Sequence, residues 1–145
     1  MTANNPINEA ITQFIDSQTV LTLATCENNV PVCASCYYAF DAAFGWLVFK
    51  SSPNTQHIKN ILHNPEVAGS ILPDKSTVAN IKGIQFSGRA CIYSNEFEQG
   101  KNLYYNKFPF ARAMSGDIWI VELTKIKYTN NTLGFGKKLI WELDH

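Results

Sequence analysis

Apolar and polar residues follow two different periods along this chain, and the switches between them divide it into elements. Asn5 and Pro6 open a helix in which Ile7, Ala10, Ile11, Phe14 and Ile15 fall at i, i+3, i+4, i+7 and i+8, one stripe facing a core. Residues 20–26 and 30–40 are rich in β-branched and aromatic side chains, and Glu27-Asn28-Asn29 between them predicts a hairpin. Residues 41–45 turn the chain into a third strand, 46–50. A short helix with apolar Ile58, Ile61 and Leu62 follows, Asn64-Pro65 stops it, and 66–72 reads as a further strand before the Pro73-Asp74-Lys75-Ser76 turn.

The stretch 78–93 alternates, with Ile84, Phe86, Gly88 and Ala90 on one face and Gln85, Ser87, Arg89 and Cys91 on the other. Gly83 and Gly88 mark bends, bulges or close approaches. Ser94-Asn95-Glu96 opens a third helix whose Phe97, Lys101, Tyr104 and Phe108 share a face, and strands 118–128 and 139–143 bracket a turn-rich 129–136. Six or seven strands with three short helices at the connections predict a mainly β fold, an antiparallel β-barrel with peripheral helices, in one domain spanning 1–145.

At 145 residues the chain suits a single domain that buries roughly two thirds of its unfolded surface. Twelve basic and twelve acidic residues cancel, so the electrostatic footprint of a nucleic-acid binder is missing. Nine Phe, six Tyr and three Trp are therefore read as core and interface rather than as a base-stacking surface. Met1-Thr2-Ala3-Asn4-Asn5-Pro6 shows no basic segment followed by an apolar one, and no apolar run approaches the ~20 residues that span a bilayer. The expected location is the cytoplasm, with neither membrane nor nucleic acid as a partner.

Cys33 and Cys36 form a C-x-x-C, but residues three apart in a strand point to opposite faces and cannot share an ion. With no second such motif, Cys26, Cys33, Cys36 and Cys91 read as structural thiols, and no metal is expected. No G-x-S-x-G occurs, His57, His63 and His145 lack triad spacing, and the carboxylates are scattered. Thr132-Leu133-Gly134-Phe135-Gly136-Lys137-Lys138 lacks the spacer of a P-loop and the third glycine of a dinucleotide fingerprint, so it reads as a turn. The chain offers a binding site more readily than a catalytic machine.

That site lies where the third strand feeds the second helix through Ser51-Ser52-Pro53-Asn54-Thr55-Gln56-His57. The first turn of a helix leaves N–H groups unpaired at the positive end of the helix dipole, and Ser51, Ser52 and Thr55 place hydroxyls where an anion would be held. The bland alternative is that Ser52 or Asn54 caps the helix and Pro53 starts it.

The order of elements resembles the FMN-binding split-barrel superfamily, the group containing pyridoxamine 5′-phosphate oxidase, and within it the small YhbP-like branch of bacterial proteins. Nearly the whole chain is covered. The most specific part is residues 126–141, from Ile126-Lys127-Tyr128 through Leu139-Ile140-Trp141, supported by Tyr37-Tyr38-Ala39-Phe40-Asp41, Gly83-Ile84-Gln85-Phe86-Ser87-Gly88 and Tyr105-Asn106-Lys107-Phe108-Pro109-Phe110-Ala111-Arg112. The resemblance implies that Ser51, Thr55 and His57 match the superfamily's FMN-phosphate positions, with Gln56 and His57 standing where flavin oxidases often carry an Arg-Lys pair. Lys50 or Lys59 would then restore the lost charge. It further implies that the second strand around Ser35, Cys36 and Tyr37 runs along the isoalloxazine edge, and that a homodimer closes the site around FMN. Three readings follow: an FMN-dependent oxidoreductase or FMN-binding protein, a binding or regulatory module that has lost flavin, and a haem binder using His57 or His63 as axial ligand.

Overall fold

The computed structural model describes residues 5–75, 81–131 and 138–144. In chain order these form α1 (Glu9–Ser17), β1 (Val20–Glu27), β2 (Val30–Asp41), β3 (Trp46–Ser51), α2 (Gln56–His63), β4 (Glu66–Ile71), β5 (Lys82–Ile92), α3 (Glu98–Lys107), β6 (Asp117–Asn130) and β7 (Lys138–Glu142), with 3₁₀ turns at Asn95–Phe97 and Pro109–Ala113. The strands run antiparallel in the order β3-β2-β1-β4-β5-β6-β7. A β3–β6 pairing closes the first six into a barrel and leaves β7 as an extra strand.

β6 makes this geometry possible because its two halves serve different neighbours. One edge pairs with β5 along almost its whole length, while the other takes β3 over Asp117–Glu122 and β7 from Lys125 to Thr129. The changeover coincides with a bulge: Ser87 pairs with Lys125 and Gly88 with Leu123, which leaves Thr124 over. The freed Thr124 carbonyl accepts the Leu143 N–H at 2.9 Å, and Leu123 N–H donates to the Gly45 carbonyl at 3.0 Å. The expectation for Gly88 holds, since a Cβ there would stand 2.6 Å from the Glu122 carbonyl oxygen. Gly83 is different: a Cβ would meet nothing nearer than Leu72 Cδ2 at 3.4 Å, so neither a bulge nor a close approach explains it.

The β1–β2 hairpin forms as predicted. Glu27 pairs with Val30, and Asn28 and Asn29 both take positive φ, 52° and 65°, in the two-residue turn whose twist matches the strands. The alternating faces of β5 are also as predicted, with Ile84, Phe86, Gly88 and Ala90 buried and Gln85, Ser87 and Arg89 exposed. The first helix starts later than the Asn5-Pro6 signal suggested. Asn8 caps it, its side-chain oxygen accepting the Ala10 N–H at 2.8 Å, and Pro6 belongs to a strap in which Trp141 Nε1 donates to the Asn5 carbonyl at 2.7 Å. Strand β5 begins at Lys82; the expected start at 78 and most of the glycine-containing turn at 132–138 lie outside the described residues.

Two apolar layers share the wall formed by β2, β3 and β6. Inside the barrel, Leu23, Tyr38, Phe40, Leu47, Phe49, Phe86 and Val121 pack together, plugged by Ile11, Phe14 and Ile15 of α1 and by Ile58 and Ile61 of α2. Outside it, α3 and its flanking 3₁₀ turns lay Phe97, Tyr104, Phe108 and Ala111 over Ala39, Val48, Ile118 and Ile120. Each fully buried aliphatic side chain contributes about 1.5–3 kcal/mol. The interior layer reaches the end of β3, where the candidate site begins.

Candidate functional site

Alternation along β3 sends Leu47 and Phe49 inward and Val48 toward α3, so the polar residues that end the strand, Lys50 and Ser51, diverge as well. Ser51 meets Cys36 of β2, two residues beyond the Tyr38–Phe49 pair on each strand. Burial pushes the Cys36 thiol up to about 11, opposed by the Ser51 hydroxyl beside it, so it stays protonated at neutral pH. Cys33 is exposed and Cys36 buried, the opposite-face arrangement read from the strand period.

Between β3 and α2 the chain makes a tight turn. Thr55 N–H donates to the Ser52 carbonyl at 3.2 Å, with Pro53 and Asn54 at the two central positions, and the Thr55 hydroxyl donates to the same carbonyl at 2.9 Å. Asn54 N–H donates to Ser52 Oγ at 3.3 Å. The helix therefore starts at Gln56 with Thr55 in the cap position, rather than with Ser52 or Asn54 as cap and Pro53 as first residue. The Thr55 side chain makes no capping bond to the first turn, so the leading N–H groups of α2 are left without a side-chain acceptor.

The position of α2 is fixed by polar groups as well as by Ile58 and Ile61. Asn60, 1 % exposed, donates through Nδ2 to Thr25 Oγ1 at 3.0 Å and accepts from Gln56 Nε2 at 2.8 Å. That anchor holds His57 over the end of β3, where its Nε2 lies 2.7 Å from Ser51 Oγ and 3.4 Å from Thr55 Oγ1. Half-burial strips water from the imidazolium and lowers the His57 pKa, which keeps the ring neutral at pH 7.

Ser35, Cys36, Tyr37, Lys50 and Ser51 line one cavity of about 190 Å³, together with Tyr104 of α3 and Phe110, Ala111, Met114 and Ser115 of the segment that follows it. Five of the expected site residues are thus brought together. Ser52, Thr55 and His57 stand beside them at the end of β3 rather than in the lining. Lys59 is exposed on α2 and takes no part in the lining. Lys50 lines the cavity, but its Nζ donates to the Ala111 carbonyl at 2.7 Å, away from His57. No Lys or Arg among the described residues hydrogen-bonds to Ser51, Thr55 or His57, and Asp117 of β6 stands opposite Ser51 in the register. His63 lies at the far end of α2, its Nδ1 2.9 Å from Glu27 Oε1.

The wall supplied by residues 104–115 is what sequence reasoning missed. Tyr104 reads as part of a core face, Phe110 belongs to a segment of resemblance with no site role attached, and Met114 and Ser115 carry no pattern. Tyr37, Phe110 and Met114 are each more than half exposed and form an apolar rim, with the Tyr37 and Phe110 rings edge to face at 6.1 Å. An uncovered Phe or Met directly after Pro109 was the one available signal, and it is a weak one.

A family model described as pyridoxamine 5′-phosphate oxidase matches residues 7–128. A UPF0306 protein of Yersinia pestis is 41% identical over 140 residues, covering 95% of each chain. Among solved structures, a heme binding protein from Mycobacterium smegmatis superposes with a TM-score of 0.74 at 18% identity, over 89% of this chain and 55% of that one. A FAD-binding protein from Mesorhizobium loti superposes with a TM-score of 0.70 at 14% identity, over 90% of this chain and 99% of that one. At these identities the two structures speak to the fold alone.

Proposed function

The chain belongs to the pyridoxamine 5′-phosphate oxidase family, among its UPF0306 members, and from that premise we propose that it binds FMN at the mouth formed by β2, β3 and α2 and serves as a flavin-dependent oxidoreductase. One observation carries the reading: the cavity, an apolar, aromatic-rimmed slot along Ser35, Cys36 and Tyr37, ends at Ser51, beside a hydroxyl and imidazole cluster at the uncapped start of α2. A flavin needs both, a flat slot for the ring and donors for the phosphate. In this reading the backbone of β2 borders the ring edge, and Ser51 with the first N–H groups of α2 faces the phosphate. The flavin supplies the electron chemistry, which is why no triad is needed.

A homodimer completes the site. The cavity is smaller than the ~300–1,000 Å³ usual for small-molecule pockets, and its rim of Tyr37, Phe110 and Met114 is uncovered in one chain. A second copy seated on that rim would enclose the ring. Among the described residues no helix is long and apolar enough to cross a membrane.

A second reading, a split barrel that binds a different ligand, is favoured by the lack, among the described residues, of any Lys or Arg hydrogen-bonded to Ser51, Thr55 or His57. Titration with FMN and riboflavin, followed by quenching of flavin fluorescence, separates the two. The flavin reading expects FMN to bind, Thr55→Ala to weaken it by loosening the Ser52–Thr55 turn, and riboflavin to be nearly indifferent to that change. Light scattering should give roughly twice the 16.3 kDa chain mass. A protein that takes up neither flavin refutes the reading, and a monomer refutes the composite site.

A further inference from the structure

Two cations converge on one ring beside the cavity. Lys50 Nζ lies 5.1 Å from the centroid of Tyr105, and the guanidinium carbon of Arg112 lies 4.7 Å from the same centroid. The Lys50 ammonium is held at a second point by the Ala111 carbonyl, which takes one of its three protons and leaves two for other partners. Arg112 is exposed and, among the described residues, enters no ion pair or side-chain hydrogen bond, so its five donors are uncommitted. Among the described residues Lys50 is also the only charged side chain lining the cavity. The chain as a whole is neutral, so this is a local concentration of positive charge.

Bracing the Pro109–Ala113 turn accounts for Lys50 and stacking on Tyr105 accounts for Arg112, but neither contact uses up their hydrogen-bond donors. Both cations use the same ring, and among the described residues neither is in an ion pair; Asp117, the carboxylate nearest in register, pairs with Ser51 rather than with Lys50. An anion would use the donors that both cations leave free. The ring and the carbonyl hold Lys50 in place beforehand, so little side-chain freedom is lost when an anion arrives.

We propose that Lys50 and Arg112 form a carboxylate subsite at the rim of the cavity, for a ligand whose apolar body packs against Tyr37, Tyr104 and Phe110. A planar carboxylate matches the guanidinium fork in a bidentate pair, and Lys50, which lines the cavity beside the same Tyr105 ring, would add its charge from that side. A single negative charge also suits apolar walls better than a dianion, whose desolvation costs more. The subsite rests on reading the mouth as a ligand site, and it is separate from the position assigned to the flavin phosphate at α2.

The test uses the full-length protein, ¹⁵N-labelled, titrated with benzoate, phenyl phosphate and benzyl alcohol while the amides of residues 110–115 are followed by NMR. Benzoate should bind roughly tenfold more tightly than benzyl alcohol, the ratio worth about 1.4 kcal/mol, and its affinity should fall with added salt. Arg112→Gln, at an exposed position where folding is not at risk, should abolish the difference; Arg112→Lys should keep part of it. Lys50→Met should act in the same direction. Equal binding of benzoate and benzyl alcohol, an Arg112→Gln variant that retains the preference, or tighter binding of phenyl phosphate than of benzoate would each overturn the subsite. FMN affinity of Arg112→Gln is the independent arm: it should match wild type, and failure of wild type to bind FMN while benzoate still does would remove the flavin reading and leave the subsite standing.

Discussion

Replacing His57 by Lys isolates the weakest part of the proposed phosphate site. In the free protein the ring is neutral, because half-burial lowers its pKa, and its Nε2 is engaged with Ser51 Oγ at 2.7 Å. The Thr55 hydroxyl is committed to the Ser52 carbonyl. What remains for a phosphate is the Ser51 hydroxyl and the leading N–H groups of α2, two or three bonds to a charged acceptor at about 1.5–3 kcal/mol each before the phosphate is desolvated. The net preference for FMN over riboflavin should then be about 2–4 kcal/mol, roughly 30- to 1,000-fold in affinity.

A lysine at 57 supplies a permanent charge that the imidazole lacks, which should tighten FMN by a further ~1–2 kcal/mol after its own desolvation and leave riboflavin unchanged. The pH dependence has a definite sign. Phosphate beside His57 favours the imidazolium, so binding raises a pKa that burial had lowered, and protons are taken up with FMN. Wild-type affinity for FMN should therefore rise as pH falls through the His57 pKa of the complex. The gain ends near pH ~6, where the phosphate itself begins to protonate. His57→Lys should remove this slope, and riboflavin should show none. Fluorescence titrations of both flavins across pH 6 to 9 with both proteins measure every term. Equal affinities for the two flavins in wild type, or a His57→Lys variant with unchanged selectivity, would refute the reasoning.

Two further outcomes follow from the barrel itself. Gly69→Ala should lower stability by about 3 kcal/mol, read as a fall in Tm, because its Cβ would lie 2.3 Å from both the Thr22 carbonyl oxygen and the Phe86 ring; Gly83→Ala, with nothing nearer than 3.4 Å, should change stability by less than about 1 kcal/mol. With a disulfide reagent at neutral pH, Cys33 should react quickly and Cys36 only on unfolding, since Cys33 is exposed while burial pushes the Cys36 thiol up to about 11; equal labelling rates would contradict the placement of Cys36 at the inner end of the mouth.

Local periods were legible and closures were not. Strict alternation in β5 and the paired asparagines of the first hairpin are short-range signals, and both elements form where those signals put them. Pro6 is an equally local signal but misplaces the start of α1, because the segment before Asn8 is tied to β7, more than a hundred residues away. The cap of α2 fails for a related reason: Ser52, Pro53, Asn54 and Thr55 close a turn on themselves before the helix begins. Nothing in the pattern of β6 announces that one strand changes partners at Thr124, and without the resulting β3–β6 pairing there is no barrel.

The same distinction governs the site. Ser35, Cys36, Tyr37, Lys50 and Ser51 were reachable as site positions from the sequence, whereas Tyr105 and Arg112 lie in a segment of resemblance that gave them no role and come beside Lys50 because α3 folds back over the outer face of β2 and β3. Strand alternation then sorts the chemistry. Ser51 faces inward to Cys36 and His57, a neutral group rich in donors, while Lys50, one residue earlier, faces outward to Ala111 and Tyr105 and brings the charge. The cavity opens across that divide, so its two ends differ in electrostatic character although adjacent residues build them. In the proposed readings a ligand seated there would meet hydrogen-bond donors at the α2 end and the Lys50 charge toward the Pro109–Ala113 end. Among the described residues no Lys or Arg hydrogen-bonds to the Ser51, Thr55 and His57 cluster. On the two proposals together, preference for a carboxylate would be set on the outer face of the barrel and preference for the flavin phosphate at the start of α2.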